Sequence, residues 1–313
     1  MGDIMQTTST NIQTLVDEYL TFLLERRNRR PLTVQTYRHA LKHFVRWCEH
    51  NQLTLEGLEP DDIEAFGWRT LRNGGMPSAA TARASMVATK KFLDWCVARK
   101  HIPITGHLDL VTPSQPDSVP NPIADTQWRA LWGSDLCPDD RLWLGDAYWL
   151  GRRRYEIVTT RPEGVLPELQ QIRFERKRGK IRQIEYQAVC QWLSGELPWL
   201  TEGWTEWVQL LEETSEQRSG ERYLSVYAET GQPDLDGNRL TKRLWKLCDA
   251  AGLERFGPHR LRHSACTNFF RAGVEPAVIQ NLMGHESFDT TRGYMSISGY
   301  LQRGLDRKAQ ANG

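Results

Sequence analysis

The chain has 313 residues, 40 of them Lys or Arg against 39 Asp or Glu, for a formal charge of +1. That length favours two domains over one core, and a charge so near zero neither demands nor excludes a polyanionic partner, so any nucleic-acid signal has to be local. Six cysteines without a Cys-x-x-Cys pair argue against a zinc site or a disulfide framework. The absence of a run of roughly 18 apolar residues or of a signal-peptide pattern argues against a membrane span and secretion. A cytoplasmic protein is expected.

Residues 1–11 are polar and aperiodic and read as a disordered arm. Helical spacing then dominates to residue 100. In the segment from Thr33 to His50, Val34, Tyr37, Leu41, Phe44, Val45 and Cys48 fall on one face, with Thr33 as expected N-cap. Arg38, Lys42 and Arg46 line the opposite face, and no acidic residue occurs between Arg26 and Arg46. From Ser78 to Arg99 a second helix is expected to bury Ala82, Ser85, Met86, Thr89, Phe92, Leu93, Cys96 and Val97 while showing Arg83, Lys90 and Lys91. Weaker patterns at 12–26 and 60–72 complete a four-helix unit at 12–100. The five prolines between His101 and Pro122 mark a linker at 101–121.

Beyond the linker, helical patterns surround one hairpin. Gln170 to Arg176 and Lys180 to Tyr186 alternate, with Ile172, Phe174, Ile184 and Tyr186 as the apolar members and Arg178-Gly179 as the turn. The fold expected is mainly α with a small β-sheet: a helical domain followed by a mixed α+β domain at 122–304, with a tail at 305–313. The tryptophans between Trp128 and Trp207 are expected to serve packing.

Pro258 and Gly273 bracket a helix from which His259 and Arg262, three apart, project on one face. After Pro276 a short helix stops at Gly284, which suits a left-handed cap and presents His285. Tyr294 follows nine residues later. Arginine forks bind phosphate oxygens bidentately and keep their charge. Histidine adds a donor or shuttles a proton, and a tyrosine hydroxyl can be a covalent nucleophile. His259 and His263 are four apart, the spacing of a metal pair, but Arg260 and Arg262 beside them repel a cation and no third ligand is apparent.

The run His259-Arg260-Leu261-Arg262-His263, then Leu282-Met283-Gly284-His285, then Tyr294, resembles the catalytic signature of the tyrosine recombinases, or phage integrase family. Gly151-Arg152-Arg153-Arg154-Tyr155-Glu156 resembles that family's Gly-x-Arg-x-x-Glu box, nominating Arg153, although Arg152 and Thr159-Thr160 stand where the family prefers apolar residues. Lys177-Arg178-Gly179-Lys180-Ile181-Arg182 resembles its hairpin lysine motif, nominating Lys177 with Lys180 as competitor. The residues at 12–100 resemble the family's core-binding domain.

The resemblance implies a site-specific recombinase or integrase that breaks and rejoins DNA through a 3′-phosphotyrosine, without metal or nucleotide cofactor. Tyr294 would attack, with Tyr300 as its rival. Arg153 and Arg262 would clamp the phosphate, Lys177 would protonate the leaving oxygen, and His259 and His285 would assist. Arg38, Lys42, Arg46, Arg83 and Lys90 are the expected DNA-binding residues. The implied partner is double-stranded DNA, with a homo-tetramer on paired sites joined by C-terminal segments that carry Tyr300, Leu301 and Leu305. A type IB topoisomerase-like relaxation enzyme and a non-catalytic DNA-binding accessory protein of the same fold are the alternatives.

Overall fold

A computed structural model describes residues 11–29, 31–71, 74–99, 101–102, 112–114, 120–175, 180–224 and 238–295. The chain parts into two compact units, Met1–Ser118 and Val119–Gly313. The expected disordered arm, Lys177, Tyr300 and the C-terminal tail lie outside the described residues, apart from Asn11.

The first unit contains α1 (Ile12–Glu25), α2 (Pro31–Asn51), α3 (Pro60–Gly67) and α4 (Ala79–Ala98). Local chemistry sets their starts. The Asn11 side chain accepts from the Gln13 amide and the Ser78 hydroxyl accepts from the Thr81 amide, satisfying donors that the first helical turn leaves open. The expected cap at Thr33 is not one: α2 begins two residues earlier, at Pro31, so Thr33 already lies within its first turn. The four helices share one core, with Leu15 and Tyr19 from α1, Leu41, Phe44 and Cys48 from α2, Phe66 from α3 and Met86, Phe92 and Cys96 from α4. Each such large apolar side chain stabilises the fold by roughly 1.5–3 kcal/mol relative to exposure. Of the residues expected to be buried, only Tyr37 and Val97 stay half-buried.

The second unit opens with α5 (Asp125–Trp132), α6 (Pro138–Tyr148) and the short α7 (Arg154–Val158), followed by a three-stranded antiparallel sheet. Its strands are β1 (Val165–Leu166), β2 (Gln171–Glu175) and β3 (Ile181–Glu185), in that order across the sheet. Gln171 faces Glu185, Ile172 faces Ile184 and Glu175 faces Ile181. The expected hairpin is therefore present, with Ile172, Phe174 and Ile184 buried on one face. It is shorter at its base than expected: Gln170 closes a preceding turn at φ 51°, and Tyr186 is already the first residue of a helix.

Around the sheet lie α8 (Tyr186–Glu196), α9 (Trp204–Gln217), α10 (Asn238–Ala250), α11 (Pro258–Arg271), α12 (Pro276–Met283) and α13 (Phe288–Arg292). Helix α11 is central, packed against α6, α8, α10 and α12. Beside it the aromatic residues form a packed cluster: Trp128 stacks on Tyr148 with ring centroids 3.7 Å apart, and the buried indoles of Trp149 and Trp207 donate to the carbonyls of Leu200 and Leu142. These tryptophans pack the core. Among the described residues no helix is long and apolar enough to cross a membrane.

Candidate active site

The amino end of α11 and the carboxyl end of α12 build the centre of the site. Arg262, one turn into α11, is only 4 % exposed and donates to the carbonyls of Gly151 and Met283. Burial, reinforced by the charge of Arg153, lowers its pKa to about 10. It therefore remains a cation at neutral pH. Gly151 makes the first of these contacts possible. Its φ is +62°, and a Cβ there would lie 2.8 Å from Met283 Sδ and 3.0 Å from Ala265 Cβ, so a side chain would be strained and would push α11 and α12 away.

Arg153 stands at the start of α7, half-buried. Its backbone N–H donates to Glu156 Oε2 at 2.8 Å, its Nη1 to Glu156 Oε1 at 3.0 Å and its Nη2 to the Gly284 carbonyl at 3.0 Å. Burial works against the Glu156 carboxylate, but the Arg153 N–H and then the charges of Arg153 and Arg262 outweigh it and hold its pKa below the ordinary value.

The two departures from the family pattern in this box belong together. Arg152 is buried and ion-paired with Asp146 at 2.8 Å, lies 4.2 Å above the Phe174 ring, and donates to the Glu156 carbonyl at 2.7 Å and to the Thr160 hydroxyl. Thr160 in turn donates to the Glu156 carbonyl at 2.8 Å. A polar residue at 160 thus accompanies a charged one at 152, and Arg153 is left to face the α12 end.

A third arginine reaches the same turn. Arg182, on β3, donates to the Leu282 carbonyl at 3.0 Å and to Asn281 Oδ1 at 3.4 Å. Three consecutive carbonyls, of Leu282, Met283 and Gly284, thus accept from Arg182, Arg262 and Arg153. The carboxyl end of a helix carries partial negative charge, which suits this gathering of cations.

Gly284 ends α12 at φ +60° and turns the chain so that His285 enters the site. Nδ1 of His285 is hydrogen-bonded to Thr291 Oγ1 at 2.8 Å, and its ring lies nearly parallel to that of Tyr294, centroids 6.3 Å apart. Tyr294, just beyond α13, is 4 % exposed. Burial, with a smaller effect of Cys266 and against the pull of Arg262, raises its pKa above the ordinary tyrosine value.

The Tyr294 hydroxyl is hydrogen-bonded to Nδ1 of His263, a residue that the sequence placed in the signature run and in a discounted metal pair but gave no role at the site. Burial and then the charges of His259, Arg262 and Arg260 push His263 down to about 4, so its imidazole is neutral at pH 7 and Nδ1 can accept the tyrosine proton. The one available signal was position: His263 lies one turn along α11 from His259, with ring centroids 4.9 Å apart. His259 itself keeps an exposed edge, yet desolvation of the rest, followed by the charges of Arg262, Arg153 and Arg154, lowers its pKa. Among the described residues no cluster of three or more His, Cys, Asp or Glu could hold a metal ion.

Arg153, His259, Arg262, His285 and Tyr294 thus come together within the second unit. Lys177 lies outside the described residues, and Lys180, just before β3, is exposed. The expected DNA-binding residues belong to the first unit. There Lys42 and Arg46 line a groove of about 870 Å³ beside α2 and α4, together with His39, His43, Arg69 and Ser85. Arg38 is exposed on α2. Arg83 instead donates to the Thr112 hydroxyl at 3.1 Å and the Pro113 carbonyl at 2.5 Å, and Lys90 on α4 is half-buried.

A buried arginine, a second arginine held by a carboxylate, three histidines and a tyrosine hydroxyl are the kinds of group that phosphoryl transfer needs: cations for the phosphate oxygens, proton carriers and a nucleophile. Residues 168–299 match the phage integrase family and residues 16–100 match the phage integrase N-terminal SAM-like domain. Tyrosine recombinase XerD of Vibrio cholerae is 24% identical over 301 residues, covering 91% of this chain and 92% of that protein. Tyrosine recombinase XerD of Pseudomonas aeruginosa is 26% identical over 302 residues, covering 93% and 95%. In fold, the chain is similar to a lambda integrase dimer bound to a COC′ core site, with a TM-score of 0.64, 14% identity and coverage of 90% and 94%. It is also similar to XerH recombinase bound to a palindromic difH substrate, with a TM-score of 0.62, 17% identity and coverage of 94% and 84%. The chain belongs to the phage integrase family of tyrosine recombinases.

Proposed function

We propose that this chain is a site-specific DNA recombinase in which Tyr294 Oη attacks the scissile phosphate. The Oη–P bond forms as the P–O5′ bond breaks, leaving a 3′-phosphotyrosine and a 5′-hydroxyl. Arg262 and Arg153 hold the non-bridging oxygens, Lys177 supplies the proton to the leaving O5′, and His259 and His285 assist at the phosphate. The ester energy is kept in the protein–DNA link, so a second strand's hydroxyl reverses the step and exchanges strands without a cofactor. The observation that carries this reading is the gathering with Arg262, Arg153 and His285 of a buried tyrosine whose hydroxyl is hydrogen-bonded to a neutral imidazole. The test is a nicked duplex with a randomised centre, from which the protein should recover a sequence as an adduct that survives denaturation. Exchange of strands between two such duplexes separates recombination from topoisomerase-like relaxation, and the adduct separates both from a non-catalytic accessory protein.

The helical unit at 12–100 supports a second part of the reading, contact with the duplex backbone by Arg38, Lys42 and Arg46, with Arg83 and Lys90 nearby. Each phosphate contact that is removed lowers the salt slope of binding by about one unit. Replacing Arg38, Lys42 and Arg46 with Ala should lower both affinity and slope, and an unchanged slope contradicts a DNA-facing role.

On paired sites the protein acts as a homo-tetramer, in the cytoplasm. A lambda integrase tetramer bound to a Holliday junction shares the fold, with a TM-score of 0.65, which supports this assembly. Residues 299–313, with Tyr300, Leu301 and Leu305, join neighbouring subunits. Deleting them should leave single-site binding intact while paired-site complexes and strand exchange fail. Recombination at the parental rate by the truncated protein refutes the proposed joint.

A further inference from the structure

Burial along the described part of the β2–β3 hairpin falls from its base toward its turn. At the base, Ile172 and Ile184 are buried. Toward the turn, Glu175 and Lys180 are exposed and Ile181 is 69% exposed. Phe174 still enters the core, beneath Arg152, and directly across from it stands Arg182. Strand alternation places Arg182 on the same face as Ile184. From there its guanidinium reaches the carboxyl end of α12, with Nη1 on the Leu282 carbonyl at 3.0 Å and Nη2 on Asn281 Oδ1 at 3.4 Å. The next two carbonyls hold Arg262 and Arg153. One helical turn therefore holds both phosphate-clamping arginines and strand β3 of the hairpin.

We infer that Arg182 is a positioning residue: through Leu282 and Asn281 it keeps the hairpin in register with the phosphate clamp, so that the hairpin lysine meets the leaving O5′. The inference rests on the recombinase reading and on a hairpin lysine as general acid, but not on which lysine serves. Arg182 acts through that lysine. The proton given to O5′ comes from the lysine.

A substrate with sulfur in place of the bridging 5′ oxygen tests this, because the thiolate leaves without a proton. The probe is the nicked duplex recovered by the wild-type protein from the randomised pool, made once with oxygen and once with sulfur. General acids contribute about 10²–10⁴-fold, and a displaced acid loses part of that, so Arg182→Ala should form adduct about 10–100-fold more slowly on oxygen. On sulfur it should approach the wild-type rate, as should the variant lacking the lysine. Arg182→Lys, which can still reach the Leu282 carbonyl, should recover part of the oxygen rate. An equal deficit on both substrates, or no deficit on oxygen, overturns the inference. Should Arg182→Ala lose DNA binding, the exposed Asn281→Ala decides: a severalfold loss on oxygen alone supports the tie, and equal rates on the two substrates refute it. If the wild type forms no adduct on either probe, the recombinase reading itself fails.

Discussion

Tyr294→Phe is expected to bind its DNA site as the parent does and to form no covalent adduct. The substitution keeps the ring that packs beside His285 and fills a position 4 % exposed, so the surrounding core is preserved. What disappears is the attacking oxygen and its hydrogen bond to His263. An acceptor left without its partner costs about 1–3 kcal/mol when buried. His263 is only half-buried, so the lower end applies and the fold should persist. Tyr300→Phe should retain parental adduct formation. Capture of Tyr294→Phe on a nicked duplex, resistant to denaturation, would falsify the assignment of the nucleophile.

Arg262→Ala should lower the rate of adduct formation at saturating DNA by about 10²–10³-fold, the usual loss when one preorganised donor to a developing negative charge is removed. It should also be less stable, because the carbonyls of Gly151 and Met283 lose their shared donor in a buried place. Arg262→Lys separates the two effects. An ammonium keeps the charge, but it cannot span both carbonyls and still present a fork to phosphate. The lysine variant should therefore regain melting temperature while its cleavage rate stays far below the parent. A lysine variant that cleaves within threefold of the parental rate, order-of-magnitude losses being the expectation, would remove Arg262 from the phosphate site.

The block from Gly257 to Tyr294 was legible in the sequence because its geometry is local. Pro258 starts a helix, Gly284 stops another, and the positions of His259, Arg262 and His285 follow from helical spacing and a left-handed cap. The hairpin was legible by alternation. Residues whose role depends on distant partners were not. Arg152 looked like a misfit until Asp146 and Thr160 were found beside it. His263 could not be tied to Tyr294 without knowing that the chain after α13 returns to α11. Arg182 is one letter in a lysine motif and shows its purpose only against Leu282. Strand β1, two residues long, carries no periodicity to read, and α2 starts before the expected cap at Thr33.

Apart from the Asn281 side chain, the grip on the end of α12 is made to backbone oxygens, and this leaves the sequence at 282 and 283 unusually free. Arg182, Arg262 and Arg153 bond to carbonyls, which every residue possesses, so the identities of residues 282 and 283 answer to packing and not to chemistry. Met283 can drift among apolar residues of its size, since what it must satisfy is the wall of Gly151 and Ala265. Gly284 has no such latitude. Its φ of +60° sets where the helix stops and so where all three carbonyls point, and a residue with a side chain there would re-aim the three arginines together. Divergence within the family can thus rewrite the side chains of this turn while the electrostatics of the catalytic centre is inherited through the shape of the main chain.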